Sequence, residues 1–272
     1  GACLSSEDSL LRSPFIAIAL MSGDSRDARI WLAAPLSGAT IENLFEGQIF
    51  EKETAVWDNQ SQTVLARKQK CLQNLVLSDA PAKTISKVQI ADALLDGIRD
   101  IGLNCLPWTK EALAWQCRVN CLYQLTGQGK NFSDDALFDT MEDWLRPYLA
   151  GKSRLAHLKS LDMLMILKSK LDWSAQQRIK RQVPSHITVP SGSRIRIDYS
   201  NPAAPILPVK LQEMFGVIET PCIIDGRLAL TIHLLSPAGH PLQITQDLFA
   251  FWNNIYPDVK AEMRGRYPKH PW

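Results

Sequence analysis

The sequence predicts a multidomain α+β protein, and three changes of pattern along the chain predict it. Residues 1–80 hold short apolar or alternating runs of strand length, residues 81–182 take up helical spacing, and residues 183–272 return to short strands among many prolines and glycines. At 272 residues, 46% of them hydrophobic, the chain has room for two or three domains with real cores.

In the first region, residues 15–20, 28–34, 49–57, 63–70 and 72–77 read as strands, separated by turn clusters such as Ser22-Gly23-Asp24-Ser25 and Asp58-Asn59-Gln60-Ser61. A helix over residues 37–47 interrupts them. Ser37 is its N-cap, Ile41, Leu44 and Phe45 form one face, and Gly47 stops it. Five short strands and one helix predict an OB-like β-barrel, the small open five-stranded type. That fold places its helix after the third strand, whereas here it follows the second. Either the first strand lies before Gly1 or the barrel is a variant.

The central helical region begins with Val88, Ala91, Leu94, Leu95, Ile98 and Ile101 on one face, ending at Gly102. A second helix starts at Pro107 and carries Leu113, Cys117, Leu122 and Leu125 toward Gly127. Ser133-Asp134-Asp135 opens a third, whose buried face is Leu137, Met141, Trp144, Leu145 and Tyr148, with Pro147 kinking or ending it. A fourth runs from about His157 through Leu161, Leu164, Leu167 and Leu171 toward Ile179.

Residues 183–272 predict a C-terminal mixed α/β domain. Strands are expected at 187–189, 195–199, 222–224 and 228–235, the last two joined by the hairpin signal Asp225-Gly226; helices are expected at 209–215, 245–255 and 258–264.

Chemistry is sparse. Gly151-Lys152-Ser153 and Gly127-Gln128-Gly129-Lys130 resemble ends of phosphate loops, but each follows predicted helix where a P-loop follows a strand. The five histidines form no HExxH and no zinc-spaced run with cysteine, and no GxSxG is present. The six cysteines are scattered without a CxxC pair, which reads as reduced thiols and a cytoplasmic protein. No apolar stretch reaches membrane-spanning length, and no signal peptide opens the chain. Its start, Gly1-Ala2-Cys3-Leu4 without Met, suggests a piece of a longer protein.

Lys+Arg number 30 against 28 Asp+Glu, so any affinity for nucleic acid must come from local patches. Two basic clusters stand out. Lys168, Lys170, Arg178, Lys180, Arg181, Arg194 and Arg196 face only Asp172, and Lys260, Arg264, Arg266 and Lys269 face only Glu262. In the first region Arg26, Arg29, Lys68 and Lys70 supply charge, and Trp31 and Trp57 are stacking platforms or core residues. Val189-Pro190-Ser191-Gly192-Ser193-Arg194 is small enough for backbone to approach a phosphate, and reads equally as a tight turn.

Residues 186–193 (HITVPSGS), 197–200 (IDYS), 210–216 (KLQEMFG), 233–239 (HLLSPAG), 241–245 (PLQIT) and 264–272 (RGRYPKHPW) together resemble the C-terminal signature of the bacterial HrpB-type ATP-dependent helicases, relatives of the DEAH-box enzymes. The resemblance extends upstream through EDWLRPYL (142–149), LPW (106–108), DARI (27–30) and AAPL (33–36). It implies a parent RNA helicase whose RecA-like motor domains carry the P-loop, ATP and Mg, with no cofactor and no ATPase activity in this fragment. It further implies that residues 1–80 are the oligonucleotide-binding-type domain and contact single-stranded RNA weakly, with RNA against DNA left open. Two other readings stand beside it. In one, the region after Val183 docks a protein or braces the motor, with exposed apolar surface around Phe249, Phe251, Trp252 and Tyr256. In the other, the chain is an enzyme in its own right, requiring His233 or His186 near Asp198.

Overall fold

A computed structural model describes residues 2–5, 8–23, 28–82 and 85–272. The chain divides into two compact units, Gly1–Leu94 and Leu95–Trp272, so the helical and C-terminal regions share one unit.

The first unit contains two three-stranded sheets. In one, β1 (Ala2–Cys3) runs parallel to β3 (Ala28–Leu36), which pairs antiparallel with β2 (Phe15–Ser22). The other is an antiparallel meander of β4 (Ile49–Asp58), β5 (Thr63–Leu72) and β6 (Leu75–Pro81). Among the described residues the two sheets stay separate and neither closes into a barrel. Between them in sequence lies α1 (Gly38–Leu44), capped as predicted: the Ser37 hydroxyl accepts the Thr40 N–H at 3.1 Å, satisfying a donor with no partner inside the helix. The last strand starts later than its apolar run, because Gln73-Asn74 form a two-residue turn that sets Leu72 opposite Leu75, with Gln73 at φ 51°. Apolar side chains remain uncovered on both sheets, including Leu20, Trp31, Leu32 and Phe50.

The unit boundary falls inside α2 (Lys87–Ile101), which ends at Gly102, where φ of 94° suits glycine. The next helix, α3 (Lys110–Thr126), begins three residues later than Pro107, because the Thr109 hydroxyl, not the proline, opens it by accepting the Ala112 N–H at 3.2 Å. Its buried face is Ala112, Trp115, Val119 and Leu122, whereas Leu113 and Leu125 are exposed. The expected third helix is broken at Thr140 into α4 (Asp134–Asp139) and α5 (Met141–Leu145); of its expected core residues Leu137, Met141, Trp144 and Leu145 are buried, whereas Tyr148 is only half-buried.

The expected fourth helix is three: α6 (Leu155–Leu158), α7 (Met163–Ser169) and α8 (Trp173–Gln182). Asp162 and Asp172 restart the chain, their carboxylates accepting the Met165 and Ala175 N–H groups at 3.0 and 2.7 Å. Each break turns a new apolar stripe inward, so that Leu158, Met163, Ile166, Leu167 and Ile179 are all buried. Full burial of such a side chain contributes roughly 1.5–3 kcal/mol.

Beyond Val183, β7 (His186–Thr188) and β8 (Arg194–Arg196) form a hairpin, and β9 (Ile206–Lys210), β12 (Thr231–Leu235) and β13 (Pro241–Thr245) form a sheet with β12 in the middle. The helix expected over 209–215 therefore gives way to β9 and a 3₁₀ turn at Leu211–Met214; parallel pairing with β12 claims Leu207 and Val209, both buried. The helix expected from Thr245 likewise begins only after β13, whose last residue pairs with Ile232. The Asp225-Gly226 hairpin is present, joining β10 (Cys222–Ile223) to β11 (Leu228–Ala229) through Ile224, Asp225 and Gly226 at positive φ. The chain closes with α9 (Leu248–Ala250), a π-helical turn at Phe251–Ile255, and α10 (Tyr256–Arg266).

Candidate nucleic-acid interface

In the first unit the described members of the predicted cations, Arg29, Lys68 and Lys70, are already engaged. Arg26 lies outside the described residues. Arg29 stacks its guanidinium on Trp31, 4.6 Å from the ring centroid, while the Trp31 N–H donates to the Ser22 hydroxyl at 2.6 Å. Trp31 is 57% exposed, which leaves ring surface available for stacking. Trp57 is half-buried and donates to the Asn59 side-chain oxygen at 2.7 Å. Lys68 and Lys70 share one face of β5, but Lys68 pairs with Glu51 at 2.7 Å and Lys70 with Glu42 at 3.0 Å. The hydrogen bond between Lys68 and Glu51 holds that carboxyl below its usual range and raises the lysine. Such exposed pairs open easily, yet they reduce the positive field at rest.

The second unit differs. Arg178, Lys180 and Arg181 ride on α8, and none is ion-paired with a described carboxylate. Lys180 and Arg181 are exposed; Arg178 is half-buried against the loop after α3, where Gly129 at φ 101° brings backbone up to its guanidinium. Arg194 and Arg196 lie two apart on β8, hence on the same face, and both are exposed and unpaired. The turn between β7 and β8 is closed by its own bonds. Gly192 N–H donates to the Val189 carbonyl at 2.8 Å and Ser193 N–H to the Ser191 hydroxyl at 3.3 Å, so those amides serve the turn. What Ser191 and Gly192 present is an exposed tip.

On α10, Lys260 and Arg264 fall one turn apart on one face, Lys260 lies 5.8 Å from the Tyr256 ring, and Arg266 pairs with Glu262 at 3.6 Å. Lys269 follows in the exposed tail. α10 makes its main contacts with the π-helical turn before it, and β8 with β7 and then β9, so these two groups of arginines belong to different parts of the unit.

Arg118, which lies outside the basic clusters read from the sequence, joins the basic surface beside Lys168 and Lys130. Arg118 on α3 is half-buried, donates through Nε to the Val183 carbonyl at 2.7 Å, and sits 5.3 Å from the Trp115 ring centroid. Burial pushes its guanidinium pKa down, since the charge is removed from water without an ionic partner. Lys168 lies 5.4 Å from the same Trp115 ring, and Lys130 donates to the Lys170 carbonyl at 2.5 Å. The spacing Trp115-x-x-Arg118 is a helix-face signal, but only folding brings Lys168 to it.

Asp198 accepts from the Ser200 hydroxyl and N–H at 2.5 and 2.9 Å, which lower its pKa, and the charges of Arg196 and then His233 lower it further. Among the described residues no helix is long and apolar enough to cross a membrane.

Residues 144–272, within the second unit, match the family model described as ATP-dependent helicase C-terminal, HrpB_C. Over its full length the chain is 40% identical to the ATP-dependent RNA helicase HrpB of Escherichia coli strain K12, covering 34% of that protein. Two solved structures agree: the E. coli DExH-box NTPase HrpB (38% identity, TM-score 0.71) and the E. coli DEAH/RHA helicase HrpB (35% identity, TM-score 0.65), each covering all of this chain and 34% of the other. Along its whole length the chain is thus similar to the C-terminal part of the HrpB helicases, and it spans about a third of the length of the relatives it matches.

Proposed function

We propose that this chain is the accessory C-terminal region of an ATP-dependent RNA helicase and contacts single-stranded RNA, while the ATP- and Mg-binding RecA-like motor lies elsewhere in the protein. The observation that carries this reading is the set of exposed cations on α8 and β8, Lys180, Arg181, Arg194 and Arg196, none of which forms an ion pair with a described carboxylate. Unneutralised Lys and Arg release counterions from a phosphate backbone and bind without regard to sequence, with dissociation constants of order 10⁻⁴ to 10⁻⁶ M at physiological salt. Tethering to a motor raises the effective concentration, so such weak contact suffices to hold a strand. The three-part division at 80 and 182, with an OB-like first part, belongs to the same proposal. Its support is the strand and helix content of residues 1–81 and the apolar side chains left bare on both sheets, a surface suited to the remainder of a longer helicase.

The test is fluorescence anisotropy of labelled single-stranded RNA across salt, with duplex RNA and single-stranded DNA as controls. Log affinity is expected to fall by about 0.7 per contacted phosphate per log unit of salt, and Arg194→Glu and Arg264→Glu to weaken binding and flatten that slope. No binding at low salt would overturn the reading. It would favour protein docking, for which the second unit has a specific feature: a groove of about 240 Å³ lined by Phe215, Val217, Phe249, Trp252 and Tyr256, with Phe249 62% exposed.

A further inference from the structure

A separate cleft in the second unit, about 340 Å³, opens between α3, α7 and the β7–β8 hairpin. Its polar lining is almost wholly donors: Trp115, Arg118, Lys168, Ser185, His186 and Arg196. Glu111, exposed, is the one carboxylate in the lining. It forms no ion pair with any of the cations there.

Two features of this cleft are unfavourable as they stand. Arg118 and Lys168 lie 5.3 and 5.4 Å from the same indole ring, so two positive charges flank one aromatic side chain, and no described carboxylate forms an ion pair with either. Each gains from the ring, but Arg118 is half-buried, and burial disfavours its charge. In addition, the Trp115 side chain is only 7% exposed and its indole N–H has no acceptor. A buried donor without a partner costs free energy, and native structures rarely leave one without cause. A compact anion with several acceptor oxygens would neutralise this pair of cations.

We propose that this cleft is a phosphate-group site, with Arg118, Lys168 and Arg196 supplying charge, Ser185 supplying a hydrogen bond, and the Trp115 ring packed beside two of the cations. The inference deepens the RNA reading above and rests on it for the source of the phosphate, which is a backbone phosphodiester of the bound strand; the chemistry is shared with free phosphate. Phosphate suits the site better than a carboxylate because donors approach from three elements rather than in one plane, and a tetrahedral group accepts from all of them. The short hairpin makes the cleft selective for an extended strand: Arg196 stands opposite His186 in register, at the mouth formed by β7 and β8.

The experiment follows the indole N–H signals of the ¹⁵N-labelled chain, the Trp115 signal being identified with Trp115→Phe. Inorganic phosphate, a uridine dodecamer and a hexaglutamate peptide are titrated separately, and dodecamer affinity is measured for Lys168→Met and Arg196→Met. Both phosphate and dodecamer are expected to shift the Trp115 signal. Each substitution is expected to weaken the dodecamer by roughly tenfold and to lower its salt slope by about 0.7. A dodecamer that binds both variants as tightly as the parent chain, while Arg264→Glu weakens it, would remove the cleft from the RNA path and leave the RNA reading standing. A Trp115 signal that moves with phosphate in a chain that binds no RNA would uphold the phosphate site and remove the RNA reading. A signal moved by hexaglutamate alone would overturn the proposal in favour of a carboxylate-bearing protein partner.

Discussion

Gln116→Leu isolates one buried polar hub of the second unit. Gln116 is 6% exposed, and its amide donates to the Phe132 carbonyl at 2.9 Å and to the Asp134 carboxylate at 2.7 Å, tying α3 to the start of α4. Leucine is close in volume, so the substitution opens little cavity and its effect is mainly polar. The two lost bonds are not equal. Asp134 is exposed and water replaces the amide, whereas Phe132 is fully buried and its carbonyl is left without a donor. One stranded acceptor costs about 1–3 kcal/mol. Gln116→Glu should cost more, because it sets a carboxylate against both a carbonyl oxygen and Asp134. Urea denaturation followed by tryptophan fluorescence reads this unit, which holds Trp108, Trp115, Trp144, Trp173, Trp252 and Trp272 of the eight tryptophans. A loss under about 0.5 kcal/mol for Gln116→Leu at unchanged denaturant dependence would refute the reasoning, since the buried carbonyl would then have found another partner.

Two further predictions concern ionisation. Lys170 is half-buried beside the Phe132 and Trp144 rings, 5.9 and 5.7 Å away, and burial followed by repulsion from Lys130 lowers its pKa. The unfolded chain therefore binds more protons between that lowered value and the ordinary lysine range, so stability rises with pH across the interval. Lys170→Met should be at least as stable as the parent at pH 7 and should lose that rise, as read from urea midpoints at pH 7 and 10; a variant destabilised by more than about 1 kcal/mol would mean that the ring contacts outweigh burial. For the thiols, Cys121 is buried, donates to the Pro202 carbonyl at 3.4 Å, and is pushed up to about 12 by burial, whereas Cys3 and Cys222 are exposed. Brief iodoacetamide treatment with mass spectrometry should label Cys3 and Cys222 in the native chain and Cys121 only after denaturation; equal labelling would contradict the packing described for α3.

What the sequence by itself determined is what acts over a few residues. Ser37 caps α1, Gly102 stops α2, Gly127 ends α3 at φ 64°, and the strand runs of residues 15–70 all appear, because capping, left-handed backbone and alternation are local properties. The helix breaks at Asp162 and Asp172 were also written locally, as capping aspartates, but a continuous leucine spacing from 157 to 171 outweighed them in the reading. The basic clusters could be found by counting; which members were free could not, since Lys70 meets a glutamate 28 positions away. Tertiary structure alone decided that Leu207 and Val209 lie in a strand, because their partner is β12, more than twenty residues on. It also decided the site. Lys168 reaches the Trp115 ring across fifty residues of chain, and Arg196 lines the same cleft from a hairpin later still. Hydrogen bonding within a turn depends on neighbours in sequence, whereas charge, burial and an unfilled acceptor depend on neighbours in space, and only the packed chain supplies those.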